Sequence, residues 1–163
     1  MSQPDRAARA AAAWRRERPE IDVEAMEIIG RLNELSALLT RQLQPVFEAH
    51  GLQGGEFDVL ATLRRAGAPY RLTPTALYEA TMLSSGGMTA RLDRLEARSL
   101  IRRLPNPQDR RGTLVELTPE GLELIDVAVV PHAANETRLL AGLPPRDRAA
   151  LNDLLSKLRA VLP

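Results

Sequence analysis

One change of rhythm constrains this chain more than any other feature. Along most of its length apolar residues recur at steps of three and four, the spacing of amphipathic helices. Between Leu100 and Thr118 that period stops. LIRRLP and TLVELT are short, leucine-rich or β-branched segments, and the intervening NPQDRRG is rich in turn formers, which predicts a two-stranded hairpin.

The flanks of that hairpin are helical. Thr73-Pro74 supplies an N-cap and a proline at the first helical position, opening a short helix through TPTALYEAT that ends near Met82. LSSGG makes a tight turn. MTARLDRLEARSL follows as a second helix, with Met88, Leu92 and Leu95 as its inward stripe. Further upstream, EFDVLATLRRAG reads as a helix stopped by Gly67, and residues 21–49 as a long amphipathic one bearing Met26, Ile29, Leu32, Leu35, Leu38, Leu39, Leu43 and Phe47. Asp5 to Arg18 is a helix of alanine and arginine ended by Pro19. Downstream, Thr118-Pro119-Glu120 opens a helix towards Gly142 that contains Pro131. Pro144-Pro145 break it, and RDRAALNDLLSKLRAVL forms the last. Two short helices, a tight turn and then a hairpin describe a winged helix-turn-helix. The fold class expected is therefore mainly α. The first and last long helices carry apolar stripes that one small lobe cannot cover, which points to a dimerisation region.

In such a fold the second helix enters the major groove by its N-terminal end. Ser84, Ser85, Gly86, Gly87 and Thr89 stand there and offer hydroxyls and unblocked amides to phosphates and base edges. A glycine costs a helix roughly 1 kcal/mol against alanine, but it permits close approach of backbone to DNA. Taken alone, SSGG is more simply a turn and cap, and DRRG a solvated loop. Together and in this order they point to DNA, with Arg110 and Arg111 at the hairpin tip reaching a minor groove and Asp109 orienting one of them.

Composition narrows the remaining classes. The chain has 163 residues, 44% hydrophobic and 26% charged, which suits one folded domain with an extension. Net charge is only +1, so a duplex-binding surface has to come from local clustering of arginine. There is no cysteine and there are two histidines, His50 and His132, which leaves little basis for a metal site, a cofactor thiolate or a cysteine nucleophile. No Gly-rich phosphate loop or nucleophile with a histidine partner is present, so no catalytic residue is assigned and an enzyme is not expected. No apolar run spans a membrane, and RAARAAAAWRRER lacks the core of a signal peptide. A cytoplasmic protein without a membrane partner is the expectation.

LSSGGMTARLDRLEARSLIRRLPNPQDRRGTLVELTPEG closely resembles the DNA-binding core of MarR-type transcriptional regulators. Their wing signature is present as Asp109, Arg111, Val115, Leu117, Thr118 and Gly121, and the similarity spans roughly residues 21–163. The resemblance implies a repressor that is a homodimer with intertwined N- and C-terminal helices, reading a pseudo-palindromic operator in double-stranded DNA. The winged helix-turn-helix then covers about 54–118 and the dimerisation helices about 21–50 and 119–163, with residues 1–20 as an extra helix covering a ligand site.

Arg91 borders the Met88, Leu92, Leu95 stripe of the recognition helix. Spacing alone leaves open whether it is a snorkelling arginine or one that holds an anion. A subgroup of MarR regulators that respond to urate resembles this chain at four positions: Trp14 in an extra N-terminal helix, Asp58 in the helix before the helix-turn-helix, Arg91 in the recognition helix, and Arg103 at the first wing strand. The resemblance implies that Trp14 and Arg91 contact the ligand while Asp58 and Arg103 form a linked charge pair. The effector expected is urate or a related purine anion. Xanthine and phenolic or aromatic acids are the competing effectors, and a ligand-independent DNA-binding dimer is the other alternative.

Overall fold

In the computed structural model, residues 5–81 and 87–162 are described, with Arg110 and Arg111 placed by their backbone alone. The chain divides into two compact units, residues 1–45 and 46–163.

The first unit is α1 (Arg6–Glu17) against most of α2 (Glu24–Glu48). Asp5 caps α1, its side chain accepting from the Ala8 amide at 2.8 Å. Ala7 and Ala11 are buried, and Gly30 of α2 is so close to Ala7 that a Cβ on it would lie 3.4 Å from the alanine methyl. Small residues on both helices thus let their backbones approach. Charge secures the rim: Arg31 donates to Asp5 at 2.8 Å and to Glu27 at 2.9 Å, and Arg15 donates to Glu27 at 3.1 Å. The hydrogen bonds from Arg31 hold both carboxyls below their usual range.

The second unit holds α3 (Gly54–Arg65), β1 (Arg71–Leu72), α4 (Pro74–Ala80), α5 (Met88–Ala97), β2 (Ile101–Asn106), β3 (Asp109–Leu117), α6 (Pro119–Leu139) and α7 (Pro145–Val161). Thr73 caps α4 as its Thr-Pro start predicts, accepting from the Ala76 amide at 3.1 Å. The core is aliphatic: Leu52, Val59, Leu60, Leu63, Leu77, Leu95, Ile101, Val115 and Ile125 are sealed from water. Phe47, Phe57 and His132 stack with centroids 4.5–5.4 Å apart, tying the end of α2 to α3 and α6.

The hairpin lies where expected, but the sheet has three strands in the order β1-β3-β2, all antiparallel. APYRL, which reads as a linker, contains β1, with Arg71 opposite Glu116 and Leu72 opposite Val115. Two residues are too few to show a period. The hairpin tip is also shifted from its expected place: Asn106 pairs with Asp109, so the turn is Pro107-Gln108, and Arg110 and Arg111 begin the returning strand instead of forming the tip. A register irregularity between Pro105 and Asn106 absorbs the difference.

One joint fixes the wing to the helices. Thr118 caps α6, accepting from the Gly121 amide at 3.0 Å, while its own hydroxyl donates to the Ser99 carbonyl at 2.7 Å. Its amide donates to the Leu100 carbonyl at 3.2 Å. Gly121 passes directly beneath that same carbonyl, and a Cβ there would fall far inside 3.0 Å of backbone atoms. The glycine of the wing signature is therefore a packing requirement. Gly121→Ala should destabilise the fold by about 2–3 kcal/mol or more, because backbone cannot rotate out of the way. Urea midpoints of the two proteins check this, and equal midpoints would contradict it.

Candidate nucleic-acid interface

The recognition helix α5 opens on Gly87, whose φ of 87° lies in the left-handed region that favours glycine. Thr89 is exposed on its first turn. Of the other expected DNA contacts, Ser84, Ser85 and Gly86 lie outside the described residues. Asp109 is exposed at the start of β3, where Arg110 and Arg111 follow it along the strand. The sequence holds five arginines from Arg91 to Arg103, and each lies against another part of the lobe.

Arg94 donates through Nε to Glu56 at 2.8 Å and through Nη2 to Gln53 at 3.4 Å. Arg98 donates to the Gly51 carbonyl at 2.8 Å, and its guanidinium lies 3.6 Å from the second Glu56 oxygen. Arg91 lies against the same segment: a Cβ on Gly55 would fall well inside 3.0 Å of its side chain, and a Cβ on Gly87 would come within 3.7 Å of its guanidinium carbon. Positions 91, 94 and 98 share one face of α5. All three meet the chain at residues 51–56, around the first turn of α3. Burial alone would raise the Glu56 carboxyl, yet the hydrogen bonds from Arg94 and from the Gln53 amide, with the charges of Arg94 and Arg98, hold it below the usual carboxylate range.

The last two arginines bind the wing. Arg102 of β2 and Arg71 of β1 flank the buried Glu116 of β3 from either side, Arg71 at 2.7 Å and Arg102 through Nε at 2.9 Å. Arg103 donates to Glu96 at 2.5 Å and to Asp93 at 2.7 Å, and the Arg103 amide also donates to Glu96 at 3.0 Å. The family resemblance suggests Asp58 as the partner of Arg103; Arg103 also holds Asp93 and Glu96, both on the recognition helix. These bonds raise the Arg103 pKa above its ordinary value.

Asp58 lines a cavity of about 400 Å³ between α3 and α6, together with Phe57, Ala61, Ile125, Val129, His132 and Glu136. Arg64 and Arg65 complete its wall; Arg64 is paired with Asp126 at 2.6 Å, and Arg65 donates to the Ala80 carbonyl at 2.5 Å. Trp14 stands exposed on α1, in the other unit. Among the described residues no group of acidic or histidine side chains is arranged to hold a metal, and no helix is long and apolar enough to cross a membrane.

A helix-turn-helix joined to a three-stranded wing defines a DNA-binding lobe. The MarR family model matches residues 50–112. The chain is 43% identical to the HTH-type transcriptional regulator PecS of Dickeya dadantii over 88% of this chain and 87% of that protein. It is 38% identical to the multiple antibiotic resistance protein MarR of Salmonella typhimurium over 74% of this chain and 80% of that one. A solved structure of a mutant MarR from Escherichia coli, complexed with operator DNA, is similar with a TM-score of 0.72 at 28% identity, covering 83% of this chain and 96% of that chain. BpsR of Bordetella bronchiseptica, solved in work on regulation of its DNA binding by 6-hydroxynicotinic acid, is similar with a TM-score of 0.70 at 29% identity, covering 80% and 92%. The chain belongs to the MarR family. It is a DNA-binding transcriptional regulator and not an enzyme.

Arg103 is the tie between wing and recognition helix. Arg103→Met should cost about 1–2 kcal/mol of stability, since it leaves Asp93 and Glu96 without their shared cation. Urea unfolding measures it; a variant as stable as the parent would show that the tie contributes nothing.

Proposed function

We propose that this regulator is a homodimeric repressor that leaves a pseudo-palindromic operator when it binds a planar purine anion such as urate. The observation that carries the reading is the place of Arg91. Its side chain sits on the recognition helix and lies over Gly55 at the start of α3. An anion bound bidentately there touches the DNA-reading helix and the body of the lobe together. On this reading Trp14 and Arg91 contact the effector, and Asp58 responds to its negative charge. Arg103 holds two carboxylates of α5, so movement of the recognition helix carries the first wing strand with it. Half-site spacing then no longer fits the operator. A tenfold change in DNA affinity needs about 1.4 kcal/mol of coupling.

Dimerisation is supported by apolar surface. Val127 and Val130 of α6 are 58% and 67% exposed, and Leu154 and Val161 of α7 are 63% and 76% exposed. Met26, Ile28, Ile29, Leu35, Leu38 and Leu39 are exposed along α2. A second copy of the chain is the occupant that a MarR-type regulator offers these faces. DNA contact falls to Ser84, Ser85, Gly86 and Thr89 at the recognition helix and to Asp109, Arg110 and Arg111 at the wing. A second effector class has one observation in its favour: BpsR is regulated by 6-hydroxynicotinic acid, an aromatic acid whose carboxylate suits the same arginine.

Two experiments test these readings. Thermal melts with urate, xanthine, hypoxanthine and salicylate, at a hundredfold over the dissociation constant, should show about 2.7 kcal/mol of stabilisation with a purine and none in Arg91→Ala. A shift with salicylate alone transfers the site to aromatic acids, and no shift with a purine contradicts the purine reading. Separately, Arg110→Ala and Arg111→Ala should each lower DNA affinity and reduce the slope of log affinity against log salt by about 1. Unchanged slopes would remove the wing arginines from the phosphate contacts.

A further inference from the structure

The arginines of the recognition helix converge on a carboxylate that neither the wing signature nor the effector reading uses. Glu56 is 3% exposed, in the first turn of α3, between Gln53 and the buried Phe57. One oxygen takes Arg94 at 2.8 Å; the other takes the Gln53 amide at 3.0 Å and faces Arg98 at 3.6 Å. Arg94 and Arg98 are each close to half exposed, so their charged ends are solvated where Glu56 does not hold them.

We propose that Glu56 is a positioning residue for DNA recognition: by holding Arg94 and Arg98 it sets the seat of α5 on the first turn of α3 and withholds two cations from DNA. The proposal rests on the DNA-binding role of the family and not on the identity of the effector. Two arginines one turn apart, anchored at one carboxylate, fix both the rotation and the slide of the recognition helix. A single pair would fix neither. The Arg98 bond to the Gly51 carbonyl adds a second anchor on the same side. Neutralising Glu56 therefore does two opposite things: the helix loses its seat, which weakens reading of sequence, and the negative charge that compensates Arg94 and Arg98 is removed, which strengthens attraction to any phosphate backbone.

The opposition gives a test that simple loss of stability cannot imitate. A duplex is first selected by the wild-type protein from a random-sequence pool, and affinities for it and for poly(dI-dC) are measured across salt concentrations. Glu56→Gln, which keeps the shape of the side chain, should bind the selected duplex about tenfold more weakly while binding poly(dI-dC) equally well or up to about threefold more tightly, with a salt slope steeper by about 1–2. The double variant Arg94→Met, Arg98→Met should also lose the selected duplex about tenfold, but with no steeper slope on poly(dI-dC), since its cations are gone. Because this variant leaves Glu56 in place, it carries the test if Glu56→Gln does not fold. Equal losses on both duplexes, or full retention of the selected duplex by the double variant, would overturn the proposal. Failure of the wild type to select any duplex would instead fault the DNA-binding role on which it rests.

Discussion

The architecture of this lobe depends on a carboxylate buried at the start of a helix. Glu56 lies in the first turn of α3, where the positive end of the helix dipole favours negative charge. It is further stabilised by a backbone amide and two guanidinium groups. Removing a charge from water is costly unless it is fully paired, and here the pairing comes from the helix that reads DNA. The seat of the recognition helix and the solvation of a buried ion are thus one problem with one solution. Gly55, next in line, leaves room for Arg91 to lie across the same turn. A side chain at that position would force the arginine away from the first turn of α3.

The wing is fastened by different means. Arg103 reaches from β2 back to Asp93 and Glu96, so the first wing strand is tied to the recognition helix by charge. On the far side, Thr118 and Gly121 close the return from β3 into α6 against the carbonyls of Ser99 and Leu100. Within the sheet, Glu116 is shielded between Arg71 and Arg102. Hence none of Arg94, Arg98, Arg102 and Arg103 stands as a ready phosphate contact. In the proposed reading, contact with DNA falls instead to the start of α5 and the beginning of β3. This fits a chain whose net charge is only +1.

Much of this was legible in the residues because it depends on local rules. Thr73-Pro74 and Thr118-Pro119 mark two helix starts and both are caps in the structure. The loss of helical period after Leu100 locates the hairpin, and the Met88, Leu92, Leu95 stripe puts Arg91 at the core border, where it is half-buried. What escaped depends on contacts between segments distant in sequence. β1 is two residues long and exists only because β3 lies beside it. Gly121 reads as a family signature but requires Leu100 to show why alanine fails. Glu56 was missed altogether. Its only local trace is the Gln53-x-x-Glu56 spacing of a capping pair, while its partners lie 38 and 42 residues downstream (94 − 56 and 98 − 56). The turn of the hairpin was misplaced by the pull of Arg110-Arg111-Gly112, where strand pairing starts at Asp109.

The coupling of Glu56 to Arg94 is the most direct measure of whether the first turn of α3 governs DNA reading. It is obtained from a double-mutant cycle of Glu56→Gln and Arg94→Met, scored on affinity for a duplex chosen by the wild-type protein. The account predicts a coupling of at least about 1 kcal/mol in binding free energy, because each single change abolishes the same anchor. Additivity within about 0.3–0.5 kcal/mol would mean that the two residues act independently and that the recognition helix owes its position to something else.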